Sequence, residues 1–385
     1  EVNLLAENDE FSYGQIATQV EAKNTWFTAK EIFDLEKLEV EKTSFNKENN
    51  RFKKGVSLMP ITFGISFTNT QMNHARALIH IYQDGSVGIS TGAVEMGQSV
   101  NTKMLQVAQT VLGVSAAKLK LETTNTTRVA NTSPSAASST ADLNGKAVEM
   151  ACNALIERLT KVAATLTSSE EKNITFQEDF VFIDGEKSTI SWEDVISQAM
   201  VQRVALTENA HYATPIIHFD KSKEKGHPFA YHVYGTAITS VTVDCLRGTY
   251  EIDAVKIVHD FGKSMNLGID IGQVEGALAQ GIGWMTMEEI AYNSDGRLLS
   301  NALSTYKVPD IFSSPKIVET VPVKTAGNDM AIQKSKAVGE PPLMYGIGAY
   351  FAIQEAVKAF NPKYKLKFHA PFTPEKVLMG LYENQ

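Results

Sequence analysis

Cysteine is nearly missing: the 385 residues include two, Cys152 and Cys245. Two thiols cannot ligate a four-cysteine iron–sulfur cluster or staple a disulfide-rich secreted fold, so the reading is a reducing, cytoplasmic compartment. Surplus positive charge is missing too. With 36 Lys+Arg against 44 Asp+Glu and a net charge of −8, nothing provides the basic face that a general nucleic-acid binder needs to neutralise phosphates. Long apolar runs are also lacking. The longest stretch free of Lys, Arg, Asp and Glu, Gly55 to Ala75, is broken by Pro60 and Gly64 and ends too polar to span a bilayer. Glu1 to Glu10 is acidic, with no basic start and apolar core, so no signal peptide is expected. A first residue of Glu, not Met, is what a processed product or an excerpt of a longer polypeptide would show. Familiar catalytic signatures are missing as well. There is no GxxxxGK[ST] loop, strand-linked GxGxxG, HExxH or Gly-x-Ser-x-Gly, and the eight histidines are scattered. The two familiar nucleotide folds, a protein-ligated zinc or iron and Ser-His-Asp catalysis therefore lack support.

What is present is a mixed pattern of strands and helices. Residues 1–54 end in a charge-dense run, Glu36 to Lys54, read as a solvated helical connector. Gly55 to Thr68 reads as strand, turn, strand. Ala77 to Ser90 reads as a hairpin whose Asp84-Gly85 pair supplies the positive-φ turn. A helix follows from Asn101 to Leu112, with Met104, Leu105, Ala108 and Leu112 on one stripe, and a second helix spans about Ala141 to Val162. Tyr231 to Asp244 and Thr249 to Val258 are again strand-like, and Gly272-Gln273 opens an Ala/Gly-rich helix, Val274 to Met287. Hairpin, Gly-Gln pair, helix thus occurs twice, a weak internal duplication. The polar run Asp220 to Gly226 marks the expected division into subdomains 55–225 and 226–385. The class is α+β.

Four segments could carry chemistry. At Gly97-Gln98 and Gly272-Gln273, a glycine lets backbone approach a ligand and exposed amides at a helix start attract anions. A plain capped helix with its Gln in solvent is the alternative at each. Asn131 to Thr140 is a small, hydroxyl-rich loop before a helix, either an N-cap or an anion site. In Lys336 to Met344, Glu340 precedes Pro341, which biases it away from the helical region, and Pro342 suits the first turn of a helix over Leu343 to Ala359. A carboxylate so restrained suits a general base; it equally suits a helix cap.

Six segments together resemble the molybdenum-cofactor-binding region of the xanthine dehydrogenase and aldehyde oxidase family. They are Phe63 to Thr68 (FGISFT), Glu95 to Gln98 with Thr102 to Met104, and Asn131 to Gly145 (NTSP…AAS…ADLNG). Asp270 to Ala277 (DIGQVEGA), Ser304 to Lys307 (STYK) and Ser335 to Leu343 (SKAVGEPPL) complete the set, in the family's order. Two positions depart from the usual pattern: Ser99 stands where a glycine is common, and Gly92-Ala93 where Gly-Gly is. The resemblance is closest to xanthine dehydrogenase and implies the C-terminal half of a molybdopterin region, as a separate subunit or a fragment. It implies that the metal is held by a pyranopterin dithiolene, with no protein ligand. Cofactor contacts would come from Met96, Gly97, Gln98, Ala136, Ala137, Ser138, Ser139, Thr140 and Gln273. Phe67, Thr68, Ala136 and Ala137 would face a flat substrate, and Glu340 would take the proton from a metal-bound hydroxyl. The implied reaction is hydroxylation of a purine, hypoxanthine or xanthine, with water as oxygen source and hydride passing to the molybdenum centre. An aldehyde or another N-heterocycle of the nicotinate kind is the alternative. A non-catalytic cofactor-binding or assembly half-module is the alternative of another class. The implied partners are the other half of the molybdopterin region and domains or subunits carrying 2Fe-2S clusters and FAD, in an oligomer, with no nucleic acid or membrane. Alone, the chain is expected to be inactive.

Overall fold

The computed structural model describes residues 1–136 and 138–383. Two helices, α1 (Ala22–Ile32) and α2 (Leu35–Glu48), precede the long strand β1 (Phe52–Ile65). The strand, turn, strand expected here is one continuous strand. Pro60 is accommodated because β1 lies at a sheet edge, where a missing N–H breaks no inner ladder. Gly64 stays extended because it gives room to a ring: a Cβ there would sit 2.4 Å from Phe229 Cγ.

The first unit begins with the expected hairpin, β2 (His74–Ile81) and β3 (Val87–Thr91), turning at Gly85 with φ +81°. Then come α3 (Val100–Leu112), β4 (Leu119–Leu121) and the 28-residue helix α4 (Thr140–Thr167). A small sheet of β5 (Ile174–Gln177), β6 (Phe180–Ile183) and β7 (Glu186–Ser191) leads into α5 (Trp192–Val201), opened by a Ser191/Asp194 capping box. Strand β8 (Thr207–Ala213) closes the unit's sheet, whose order is β8-β2-β3-β4 with β4 parallel to β3. Helices α3 and α4 cover it. Met104, Val107, Ala108 and Leu112 of α3 and Ala151, Leu155 and Leu159 of α4 are fully buried, each large one stabilising by about 1.5–3 kcal/mol. Leu105, placed on that stripe by its spacing, is partly buried at its margin.

The expected surface connector is a short hairpin, β9 (His218–Asp220) with β10 (Lys225–His227). The second unit follows: the hairpin β11 (Tyr231–Asp244) and β12 (Thr249–His259), helix α6 (Leu267–Thr286), strand β13 (Ile317–Pro322), and helices α7 (Ile347–Phe360) and α8 (Pro374–Tyr382). Its sheet runs β1-β11-β12-β13, with β13 parallel to β12. Each unit is thus an edge strand antiparallel to a hairpin, a helix, and a fourth strand parallel to the hairpin's second. That extends the duplication read from the sequence. Strand β1, from before residue 225, belongs to the second unit's sheet. So does the cover from α1: Ala29 and the adjoining Phe33 pack on Val56, Ile238 and Val258, which ties this supposed connector to the sheet. Helix α2 buries no residue, as its charge density implies. Cys152 and Cys245 are buried free thiols. Among the described residues no helix is long and apolar enough to cross a membrane.

Candidate functional site

The turn before α3 closes on itself. Glu95 accepts the N–H groups of Gly97 at 3.0 Å, Ser99 at 2.9 Å and Asn101 at 3.0 Å. Burial pushes the Glu95 carboxyl up, but the N–H groups of Asn101, Ser99, Gly97 and Met96 outweigh it and hold the group below the ordinary carboxylate range. These amides are therefore taken by the chain's own anion, not left exposed for a ligand as the sequence led us to expect. Gln98 is also occupied locally: its Oε1 accepts Met96 N–H at 2.5 Å and its Nε2 donates to Val94 O at 2.8 Å.

Gly272-Gln273 departs further from expectation. It does not open a helix, because α6 starts earlier, at Leu267, where Asn266 caps it by accepting Ile269 N–H at 3.2 Å. Gln273 sits on the second turn, half-buried, and its side-chain amide makes no hydrogen bond among the described residues.

The loop before α4 reaches the second unit through two residues. Ser138, at φ +51°, accepts the N–H of Glu340 on its Oγ at 2.7 Å. Asp142, in the first turn of α4, accepts Tyr231 O–H at 2.6 Å and Ile332 N–H at 2.9 Å. Burial pushes its carboxyl up to about 6 against those donors and the Lys103 and Lys146 charges. Burial and the neighbouring Asp142 also raise the Tyr231 phenol well above its ordinary value. Ser139 is buried and turned to Ala136 O at 3.2 Å.

Glu340 has φ −100° and ψ −41°, inside the helical region in spite of Pro341. The prolines begin a 3-10 turn, Pro341–Gly346, and α7 starts only at Ile347, four residues later than the sequence reading placed it. Upstream, Lys336 is buried in an ion pair with Asp260 at 2.5 Å and donates to His232 O at 3.1 Å. A second buried pair, Lys103 with Asp270 at 2.8 Å, joins α3 to α6.

All these segments converge on one cavity of about 250 Å³ between the units. Of the candidates, Met96, Gln98, Ala136, Ser138, Thr140, Gln273 and Glu340 line it. Gly97, Ser139, Phe67 and Thr68 do not. Asn73 holds the Phe67 backbone through two 2.8 Å bonds, one to its N–H and one to its carbonyl, at the end of β1. Ala137 lies outside the described residues. The lining also includes Lys103, Asp142, Lys336, Val338 and Gly339, which had no role in the sequence reading. All five lie within the quoted segments, and for Lys336 and Asp142 a lone charge in a run of small or apolar residues was the signal available. The described residues hold no cluster of three His, Cys, Asp or Glu able to ligate a metal.

Comparison with known proteins identifies the family and the fold. Residues 28–315 match the family described as the molybdopterin cofactor-binding domain. The chain is 40% identical over 344 residues to the xanthine dehydrogenase/oxidase of Felis catus, covering 88% of this chain and 24% of that protein. It is 34% identical over 394 aligned positions to xanthine dehydrogenase 1 of Arabidopsis thaliana, covering 100% and 27%. The chain spans about a quarter of the length of these curated relatives. Among solved structures, quinoline 2-oxidoreductase from Pseudomonas putida 86 superposes with a TM-score of 0.84 at 20% identity, covering 98% of this chain and 48% of that one. An aldehyde oxidoreductase from Desulfovibrio desulfuricans gives 0.77 at 23%, covering 98% and 37%. These two likenesses speak for the fold.

Proposed function

The chain belongs to the molybdopterin cofactor-binding domain family, and from that premise we propose that it supplies the base-bearing half of the molybdenum site in a purine hydroxylase. The observation that carries this reading is the meeting of Glu340, Gln273 and the first turn of α4 on one cavity. The cavity's residues fit a molybdenum–pyranopterin. They offer a Gln273 amide with no partner among the described residues, the Ser138 and Thr140 hydroxyls and a helix N-terminus, all suited to a polar, anionic ligand. When bound, the cofactor would supply the two-electron acceptor for oxidation of the substrate carbon.

The chain's own residues do the rest. Gln273, Ser138 and Thr140 would hold the pterin and its phosphate, while Gln98 stiffens the turn beneath Met96. Glu340 takes up the proton released as a water-derived oxygen is delivered to carbon, a role worth about 10²–10⁴-fold in rate. Ala136 gives a small wall beside the substrate. Phe67 and Thr68 are not assigned to it, since neither lines the cavity. The purine assignment is supported by the xanthine dehydrogenase relatives. A second reading, an aldehyde or another N-heterocycle as substrate, is favoured by the names of the fold neighbours. A third is a non-catalytic cofactor-binding or assembly half. The remaining molybdopterin half and 2Fe-2S and FAD partners, in a cytoplasmic oligomer, complete the proposal.

The test is co-production with those parts, molybdenum and pterin analysis, and turnover of xanthine, quinoline and an aldehyde. Bound molybdenum with xanthine preferred supports the proposal. Preference for another substrate replaces purine, and a molybdenum-free complex supports the assembly half.

A further inference from the structure

We propose that Tyr231 and Asp142 form a buried clamp that positions the Glu340 segment, so that both are positioning residues for the base. This rests on the reading of Glu340 given above. Residues 335–340 belong to no helix or long strand, so tethers must fix their path. Lys336 N–H reaches Phe261 O at 2.9 Å, Ala337 N–H reaches Tyr231 Oη at 3.1 Å, and Glu340 N–H reaches Ser138 Oγ at 2.7 Å. Two of these three lead to the start of α4. Ser138 precedes its first turn, and Tyr231 gives its proton to Asp142 Oδ2 within it at 2.6 Å. Asp142 Oδ1 then takes Ile332 N–H at 2.9 Å, at the head of the same segment.

The directions are forced. A phenol has one proton; with that given to the carboxylate, its oxygen faces Ala337 N–H as acceptor. Asp142 must accept on both oxygens, which its ionised form does. Tyr231 and Asp142 are 4% and 8% exposed, so water does not replace a lost partner cheaply. Lys103 of α3 and Lys146 of α4 are the cations that favour the ionised acid. Strand β11 of one unit and helix α4 of the other thereby meet in one carboxylate, which sets where the segment crosses the cavity.

The experiment compares Tyr231→Phe with the parent in the complete, cofactor-loaded assembly. It reads amide exchange over residues 332–340, pterin content, kcat and KM. Expected are faster exchange at Ile332 and Ala337, full pterin content, and kcat lower by about 10- to 100-fold, as displaced catalytic groups cost. KM should stay within about threefold. Asp142→Asn carries the same comparison should Tyr231→Phe fail to accumulate. Unchanged exchange overturns the clamp. Faster exchange with parental kcat overturns its link to the base, and joint loss of pterin, kcat and KM shows a merely structural role. Glu340→Gln in parallel separates the two readings: parental turnover there rejects the base itself, while exchange in Tyr231→Phe still decides the clamp.

Discussion

The two units share a sheet order and a sequence of elements, yet they use their Gly-Gln pairs in opposite ways. In the first, the pair stands outside the helix, and Glu95 and Gln98 consume the amides of their own turn. In the second, Asn266 starts the helix early, so Gln273 is carried on a second turn with its amide unused among the described residues. Repetition of a scaffold therefore does not repeat the use of a Gly-Gln pair. One copy provides a rigid wall, the other a free amide, and which is which depends on where the helix is capped.

The second unit also carries the buried pair beneath the cavity, and removing its cation should have the largest effect. Lys336→Met leaves Asp260, fully buried, without its charge partner. A loss of about 3–5 kcal/mol in urea denaturation is expected. A change under about 1 kcal/mol would show that Thr325 and the Gly262 amide suffice for Asp260.

Acid should act next, through two histidines in the same sheet. Burial, Lys336 and His227 push His232 down to about 4, and burial and Lys336 push His259 down to about 3. Both folded values lie below the ordinary value of about 6.5. Their contribution is present above that pH and lost as pH falls toward the folded values. Asp142 has the opposite sign: its folded value of about 6 lies above the ordinary carboxylate, so its contribution is present at low pH and lost as pH rises through it. Between about pH 6 and 4 the two histidines outweigh the acid by one proton, and stability should fall by roughly 1.4 kcal/mol per pH unit. His232→Phe, which keeps a ring against Phe11, should flatten that limb. An unchanged slope would remove His232 from the comparison.

The smallest effects should separate the two glutamines. Gln273→Ala is expected to lower pterin retention by about fivefold with little change in Tm. Gln98→Ala should cost about 0.5–1.5 kcal/mol of stability instead. The reverse pattern would break the contrast between wall and amide.

Local signals carried much of the fold. The Asp84-Gly85 turn, the stripe of Met104, Ala108 and Leu112, and the paired hairpins all follow from short-range chemistry. Three features did not: two depend on the tertiary setting, and the third on a cap upstream of the Gly-Gln pair. Pro60 lies in a strand because β1 is an edge, and Glu340 is helical where its N–H is bonded to Ser138, 202 positions away. The helix at Gln273 begins elsewhere because Asn266 caps it. Motifs marked segments that line the cavity, though Gly97, Ser139, Phe67 and Thr68 lie off it, and the Tyr231–Asp142 bond spans 89 positions with no local pattern to announce it.

The most direct measurement is single-turnover and steady-state kinetics of Glu340→Gln in the complete assembly, alongside pterin content and thermal unfolding. The account expects kcat to fall at least about 10²-fold, with pterin content and Tm close to parental. Parental kcat with full pterin would contradict it.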